Sequence, residues 1–115
     1  MNSKPHILFV CGRNQWRSPT AAKLYSNDQR VEVRSGGVSP QSRHQVSASD
    51  IEWADLILVM EDEHKSRLLK RFRGVDFPAI QSLDIPDEYN FMDEELIDLI
   101  RDGVEGQLTS QFGLE

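Results

Sequence analysis

Four short apolar runs lie along the chain, and stretches with the periodicity of amphipathic helices separate them. Residues 6–10 (HILFV) and 55–60 (DLILVM) barely alternate between apolar and polar side chains, which predicts central strands that are buried on both faces. Residues 30–34 (RVEVR) alternate strictly, as is typical of a half-exposed strand at the edge of a sheet. Residues 79–83 (AIQSL) are predicted to form a fourth strand.

Helices are predicted between these strands, at residues 19–27, 48–53 and 62–72, and a longer helix follows at about 92–111. In this last helix, apolar side chains recur every four residues on one face, at Met92, Leu96, Ile100, Val104 and Leu108. Strands that alternate with helices predict an α/β fold, in which a parallel sheet carries helices on both faces. Ligands of such sheets bind beyond the carboxyl ends of the strands, and Cys11 follows the first predicted strand directly.

Composition narrows the possible partners and location. The 115 residues, 38% hydrophobic and 28% charged, are typical of one globular domain that spans residues 1–115. The net charge of −6 and the pI near 5.0 argue against nucleic acids and anionic membranes as general partners. No apolar run approaches the roughly 20 residues of a membrane span, and the start MNSKPHILFV lacks the features of a signal peptide. One cysteine cannot form an internal disulfide, which suits a reducing cytoplasm.

That cysteine lies in a tight loop between the first strand and a helix. Ser18 is a favourable N-cap and Pro19 a favourable first helical residue, so we expect the helix to begin there. Backbone N–H groups in such a loop converge on a point where an anion binds, and Arg17 can add a planar fork that matches phosphate oxygens. A thiol beneath that point is expected to be a nucleophile. The competing interpretation is a buried cysteine that serves only as a small hydrophobic residue.

The stretch VCGRNQWRSPTA, residues 10–21, resembles the signature V-C-x-G-N-x-C-R-S-P-x-A of the low-molecular-weight protein tyrosine phosphatases. The resemblance extends to SGG at 35–37, to ADLILVMED at 54–62 and to DIPDEY at 84–89. It implies a three-layer sandwich with a four-stranded parallel sheet in the order 2-1-3-4. It also implies hydrolysis of phosphotyrosine proteins or aryl phosphates through a phosphocysteine, without a metal or other cofactor. Inorganic phosphate is the implied product, and a monomer is the favoured state.

Carried over position by position, the resemblance implies that Cys11 is the nucleophile and that Arg17 holds the phosphoryl group. Ser18 is expected to donate a hydrogen bond to the thiolate, Asn14 to fix the loop backbone and Ser35 to brace Asn14. The loop residues expected to surround the phosphate are Gly12, Arg13, Asn14, Gln15, Trp16, Arg17 and Ser18.

Three departures from the family pattern alter this picture. Arg13 replaces the family's glycine before the loop asparagine, and a non-glycine residue is strained there if the position requires a positive φ. Trp16 replaces the family's second cysteine, and a long segment after Val38 is missing. Since that segment normally supplies an aromatic wall, the mouth of the site is expected to be wide and bounded by Tyr89, Gln15 and Arg13.

A general acid is needed to protonate the leaving group, and the segment after the fourth strand offers Asp84, Asp87 and Glu88. The family's acid is the aspartate of an Asp-Pro-aromatic triplet, and the triplet DEY at 87–89 matches it in two of three places. Asp87 is therefore the predicted acid, and Tyr89 is predicted to line the entrance and to stack on an aryl substrate. The competing interpretation is a solvated acidic turn.

The three histidines are weaker candidates. His6 and His64 are expected to be ordinary residues of a strand edge and a helix surface, and His44 lies a few residues from the position of a loop-bracing histidine in the family. The histidines and the single cysteine do not have the spacing of a metal site.

Two other functions stay open at this point. A non-catalytic module that binds phosphate or phosphoproteins would keep the loop without turnover, and the departures at Arg13 and Glu88 favour this alternative. Arsenate reduction is the other, since it uses the same fold and loop. It would need an external thiol, because the chain has no second cysteine.

Overall fold

The structure, a computed structural model, describes residues 4–114, and these residues form four strands and four helices. The strands are β1 (His6–Cys11), β2 (Glu32–Gly37), β3 (Leu56–Val59) and β4 (Ala79–Ser82). The helices are α1 (Arg17–Tyr25), α2 (Ala48–Trp53), α3 (Asp62–Arg71) and α4 (Glu94–Phe112). Every predicted element is present, and most boundaries lie close to the predicted ones.

All strand pairs are parallel, and the order across the sheet is β2-β1-β3-β4. The predicted α/β fold and strand order are therefore confirmed. The two middle strands, β1 and β3, are buried along almost their whole length, as their unbroken apolar runs predict. The edge strand β2 alternates between exposed and partly buried residues before it ends in two buried glycines.

Alternate residues of the sheet face two separate layers of helices. Ile7 and Phe9 pack with α1 and α4 on one face, whereas Leu8 and Val10 pack with α2 and α3 on the other. The buried side of α4 consists of residues from its predicted stripe, namely Leu96, Ile100, Val104 and Leu108. Helices thus cover both faces of the sheet, which is the three-layer arrangement expected of an α/β fold.

Two helices begin at other residues than predicted. α1 begins at Arg17, with Trp16 as its N-cap and no side-chain hydrogen bond at the cap, so the prediction that Ser18 caps this helix is wrong. α4 begins two residues later than predicted, because Met92 has a positive φ of 61° and the Asp93 side chain accepts hydrogen bonds from N–H groups of the first turn.

The carboxyl ends of β1, β3 and β4 bring together segments that are distant in sequence. The loop 11–17 follows β1, Glu61 lies just after β3, and the segment 83–89 follows β4. This is the edge of a parallel sheet at which ligands bind. Within residues 4–114, no helix is both long and apolar enough to cross a bilayer.

Candidate active site

In the loop that joins β1 to α1, the first three carbonyl groups are hydrogen-bonded to a neighbouring segment, whereas the N–H groups have no backbone partner among the described residues. The carbonyl oxygens of residues 11, 12 and 13 accept hydrogen bonds of 3.1, 2.9 and 3.2 Å from N–H groups of the segment 38–43. By contrast, the N–H groups of residues 12–16 donate to no backbone carbonyl of the described residues. Vacant donors beside a helix N-terminus bind tetrahedral anions. The backbone of this loop therefore suits a phosphate.

Asn14 is the loop residue with a left-handed conformation, at a φ of 54°. Asparagine tolerates this region better than most residues that have a side chain. Its amide nitrogen donates to Ser18 Oγ at 2.9 Å and to Ser35 Oγ at 3.0 Å, which ties the loop to α1 and β2. Because the positive φ falls on Asn14 and not on Arg13, the strain considered for Arg13 does not arise.

Cys11 ends β1 with a buried thiol that lies 3.0 Å from the hydroxyl of Ser18. Ser18 Oγ accepts the hydrogen bond from Asn14, so its own proton can point to the sulfur or to the carbonyl of Gly36 at 3.3 Å. The hydroxyl can thus donate to a thiolate and stabilise it. This engagement also explains why Ser18 does not cap α1.

The connection from β2 to α2 packs against the outer side of the loop. At Gly37 an added Cβ would lie 2.1 Å from Ser42 Oγ and 2.8 Å from the backbone nitrogen of Asn14, so only glycine fits between them. Ser42 Oγ also lies 3.3 Å from the carbonyl oxygen of Gly12. The short connection therefore closes tightly on the loop and fixes its shape.

Arg17 is buried although it is charged, with only 4% of its surface exposed. Its terminal nitrogen Nη1 donates to the Glu61 carboxylate and to the carbonyl oxygen of Ile85, the latter at 2.8 Å. Two acceptors on Nη1 leave the edge formed by Nε and Nη2 for a ligand, and Nε lies 3.7 Å from Asp87 Oδ1. Such an edge matches two oxygens of a phosphate.

Glu61 contacts the site although nothing in the sequence pattern singles it out. Its carboxylate compensates the buried charge of Arg17 and holds the guanidinium in one orientation. The available signal was an acidic residue at the carboxyl end of a central strand. That signal is hidden because Glu61 precedes Asp62 and Glu63, and acidic residues are common at the start of any helix.

His64 lies beneath the loop and is buried, so the prediction that it lies on a helix surface is wrong. Its Nδ1 accepts the N–H of Glu61 at 3.1 Å, and Nε2 lies 3.8 Å from the Glu61 carboxylate. Since a backbone N–H can only donate, Nδ1 carries no proton and the ring is neutral. An added Cβ on Gly12 would lie 3.8 Å from Nε2, which places the ring against the loop. Burial, and then the positive charge of Arg17, lower the pKa of His64.

The lowered pKa of His64 predicts that the free energy of unfolding decreases as the pH falls below its ordinary pKa of 6.5. In the unfolded chain the imidazole binds a proton near that pH, whereas the buried ring stays neutral until a lower pH. Protons then favour the unfolded state by up to about 1.4 kcal/mol per pH unit between the two pKa values. Urea unfolding at about pH 7.5 and about pH 5.5 measures the difference.

His64→Gln should reduce this pH dependence, because glutamine does not titrate. His6→Gln is the matched control, since His6 is only partly buried and stacks on Trp53 with ring centroids 4.4 Å apart. A pH dependence that is as steep in His64→Gln as in the unmodified protein would contradict the prediction.

Asp87 lines the same cavity as the thiol. The cavity has a volume of about 190 Å³, and its lining consists of Cys11, Gly12, Arg13, Gln15, Trp16, Arg17 and Asp87. The Asp87 side chain is 61% exposed, so it can exchange protons with solvent. Asp84 instead accepts a hydrogen bond from Ser82 at 2.9 Å and lines a separate cavity. Of the two aspartates, Asp87 is the one beside the thiol and Arg17.

Tyr89, which is predicted to bound the entrance, is not among the side chains that line this cavity. Its ring packs, partly buried, against the core, and its hydroxyl donates to Glu95 of α4. That hydrogen bond raises the pKa of Tyr89 to about 12, which keeps the hydroxyl protonated. Gln15 and Arg13 do line the cavity, and the aromatic side chain there is that of Trp16.

His44 and the acidic residues around the fold offer no metal centre. His44 Nε2 lies 2.7 Å from Asp50 Oδ2, and this contact joins the β2–α2 connection to α2. In the part of the chain that the structure describes, no group of three or more His, Cys, Asp or Glu side chains could hold a metal ion.

Oxidation of Cys11 cannot stop at an internal disulfide, because the chain has one cysteine. We expect peroxide to carry it beyond the sulfenic acid to the sulfinic and sulfonic acids. Mass spectrometry of the intact protein should show oxygen additions that dithiothreitol does not remove. A parallel sample with excess glutathione should instead form a mixed disulfide that is reduced again. Full recovery of the thiol after prolonged peroxide without glutathione would contradict this expectation.

Known proteins that are similar to this chain include protein phosphatases, although no family model matches the sequence. A protein-arginine-phosphatase of Geobacillus stearothermophilus is 37% identical over 90 residues, and the match covers 57% of this chain and 61% of the relative. The chain thus spans about three fifths of the length of that curated relative. The structure of the YwlE arginine phosphatase from Geobacillus stearothermophilus is 28% identical, with a TM-score of 0.68 over 96% of this chain and 97% of the other. SP-PTP, a low molecular weight protein tyrosine phosphatase from Streptococcus pyogenes, shares the fold at 18% identity, with a TM-score of 0.73 over 92% of each chain.

Proposed function

We propose that the chain is a member of the low-molecular-weight protein phosphatase family and that it hydrolyses phosphorylated side chains of proteins with Cys11 as the nucleophile. The observation that supports this most directly is the shared cavity, since the thiol of Cys11, the guanidinium of Arg17 and the carboxyl group of Asp87 all line it. Loop residues with vacant N–H groups line the same cavity. A nucleophile, an anion site and a proton donor thus lie within one small volume.

The reaction that these groups support has two steps. In the first, the Cys11 thiolate attacks phosphorus, and a sulfur–phosphorus bond forms as the bond to the leaving group breaks. Asp87, protonated at this stage, gives its proton to the leaving atom. In the second step the Asp87 carboxylate takes a proton from water, whose oxygen attacks phosphorus. The sulfur–phosphorus bond breaks, and the thiolate and inorganic phosphate are released.

Arg17 and the loop N–H groups hold the phosphoryl oxygens through both steps in this proposal. Glu61 and Ile85 occupy Nη1 of the guanidinium, so the Nε–Nη2 edge is oriented before a ligand arrives. An oriented donor loses little entropy on binding and stabilises charge as it develops in the transition state. In enzymes that use fixed donors in this way, one donor contributes about 10²–10³ in rate.

Phosphotyrosine is the first proposed substrate class, because the signature in the loop resembles that of tyrosine phosphatases. Phosphoarginine is the second, because two of the relatives named above are arginine phosphatases. Both substrates carry the phosphoryl group on a flat, delocalised group, and both leaving groups take up a proton. The proposed roles of Cys11, Arg17 and Asp87 are the same for either.

Turnover of p-nitrophenyl phosphate in the presence of EDTA tests the enzymatic proposal, with Cys11→Ser as the matched control. Three peptides of one sequence, phosphorylated on tyrosine, arginine or serine, then test the substrate class. We expect Cys11-dependent release of phosphate from the tyrosine or arginine peptide, and much less from the serine peptide. Tight phosphate binding without any turnover would overturn the proposal in favour of a binding module. Arsenate-dependent consumption of an added thiol would favour arsenate reduction.

The proposed setting is the cytoplasm, because a reducing compartment keeps the thiol of Cys11 free to act. A monomer is the proposed state. Light scattering of the purified protein should then give a mass near 13.2 kDa, and a mass near twice that value would overturn this part of the proposal.

A further inference from the structure

Trp16 is a large aromatic residue that the fold leaves exposed at the nucleophile. Its side chain is 37% exposed, and within residues 4–114 the other large hydrophobic residues with at least this much exposure are Leu69, Phe91 and Leu99. Of these four, only Trp16 lines the cavity that contains Cys11 and Arg17. The exposed part of the indole is therefore the large apolar surface that a ligand in this cavity would meet.

Two hydrogen bonds from Thr20 fix the backbone of Trp16. The carbonyl oxygen of Trp16 accepts hydrogen bonds from the hydroxyl of Thr20 at 2.6 Å and from its N–H at 3.0 Å. The same hydroxyl, which is completely buried, accepts the N–H of Met92 at 2.9 Å. The loop before α4 therefore braces the start of α1 directly under Trp16. These hydrogen bonds fix the backbone from which the indole projects, so a ligand that packs against it does not have to order that backbone.

No other side chain of the cavity lining offers a broad apolar surface like that of Trp16. Tyr89 packs against the core and is bonded to Glu95, so it does not reach the cavity. The other side chains of the rim, Arg13 and Gln15, are polar, which leaves the indole as the one broad apolar surface of the lining. A flat group with delocalised electrons stacks well on such a surface, whereas a flexible aliphatic group gains much less.

We propose that the indole of Trp16 determines substrate choice by stacking on a flat, delocalised group that carries the phosphoryl group. This inference rests on the proposed function, because it concerns the group attached to a phosphate held by the loop. A phenyl ring and a guanidinium both have the required chemistry. The inference therefore predicts a preference for both over phosphates of aliphatic alcohols, and it leaves the choice between the two to the experiment.

The test uses fluorescence, because the chain has two tryptophans and the second is remote from the cavity. Trp53 stacks on His6 and lies under the guanidinium of Arg34, 4.2 Å from the ring centroid. In Trp53→Phe, Trp16 is the one indole that remains. Adding Cys11→Ser to this variant prevents turnover, so that binding alone is measured. The probes are phenyl phosphate, phosphoarginine, glycerol phosphate and inorganic phosphate.

We expect phenyl phosphate or phosphoarginine to change the emission of Trp16 more than glycerol phosphate or inorganic phosphate does. In Trp16→Leu, isothermal calorimetry should show about tenfold weaker binding of the flat ligand and unchanged binding of inorganic phosphate. Trp16→Phe should recover most of the loss. In the protein with an intact Cys11, Trp16→Leu should raise KM for p-nitrophenyl phosphate about tenfold with little change in kcat.

Two results would overturn the inference. One is an equal loss of affinity for phenyl phosphate and glycerol phosphate in Trp16→Leu, and the other is an emission that does not respond to any flat ligand. A failure of the proposed function is distinguishable from both. If no substrate is turned over but flat ligands still bind more weakly to Trp16→Leu, the wall exists on a module that only binds phosphates.

Discussion

The Cys11→Ser variant is expected to lose turnover of every phosphate ester and still to bind phosphate and vanadate. The vacant N–H groups of residues 12–16 and the guanidinium of Arg17 do not depend on the sulfur, so the anion site survives. A serine hydroxyl does not ionise in this pH range, so the variant lacks the thiolate that attacks phosphorus. The rate should therefore fall on the order of 10⁴-fold or more, as it does when other enzymes lose their nucleophile.

Initial rates with p-nitrophenyl phosphate and calorimetry with orthovanadate measure the two halves of this expectation. Arg17→Lys is the informative comparison, because it keeps the charge but not the planar edge of the guanidinium. We expect Arg17→Lys to lose both turnover and anion affinity, whereas Cys11→Ser loses turnover alone. Measurable hydrolysis by Cys11→Ser at a rate near that of the unmodified protein would exclude a phosphocysteine.

Asp87→Asn is expected to lower kcat by about 10²–10⁴ for substrates with poor leaving groups, because asparagine cannot supply the proton. The effect should be smaller for p-nitrophenyl phosphate, since p-nitrophenolate leaves with little help. The measurement is a series of aryl phosphates whose leaving groups differ in pKa. The slope of log kcat against leaving-group pKa should be steeper in Asp87→Asn than in the unmodified protein.

Asp84→Asn is the matched control for this change of charge and shape. Asp84 has a positive φ of 54°, accepts a hydrogen bond from Ser82 and lines a cavity that does not contain the thiol. Because asparagine tolerates this conformation, Asp84→Asn should fold normally and keep the shallow slope. If Asp84→Asn shows the steeper slope and Asp87→Asn does not, the assignment of the acid is wrong.

The elements that the sequence predicts well are those in which one period persists over many residues. The stripe from Leu96 to Leu108 recurs every four residues along α4, and the run in β1 is apolar throughout, so local pattern and burial agree. The start of α1 fails because Ser18 has two possible uses. Serine is a favourable N-cap by its intrinsic preference. In the structure, however, the hydroxyl of Ser18 is hydrogen-bonded to the sulfur of Cys11, and only the folded chain brings these two atoms together.

Some residues of the site can be recognised from adjacent sequence, whereas others are brought to the site only by contacts between distant segments. The loop of Cys11, Asn14 and Arg17 is contiguous, so its residues can be recognised together. Glu61 and His64 enter the site only because parallel pairing of β3 with β1 places their segment beside the loop. The local sequence around Glu61 and His64 indicates only the start of a helix rich in charged residues.

The position of the Tyr89 side chain depends on Glu95, which lies outside the triplet 87–89. The triplet at 87–89 suggests an aromatic entrance, but Glu95 of α4 accepts the hydrogen bond of the hydroxyl and the ring packs on the core. The position of Trp16 is equally hidden, since the start of α1 and the bond between Thr20 and Met92 together set it. In both cases a contact with the α4 region decides where an aromatic side chain lies.

The contacts that shape the loop and the groups that set its charge come from different halves of the polypeptide. The hydrogen bonds that fix residues 11–14 of the loop come from partners between β1 and the start of α2, including Ser35 and the connection 38–43. The carboxylates that face the cavity or clamp its arginine, Glu61 and Asp87, come from the second half. A protein engineer can therefore treat the two as separate controls. Substitutions of Glu61 or Asp87 retune the charge at the cavity, while the hydrogen bonds that shape residues 11–14 stay in place.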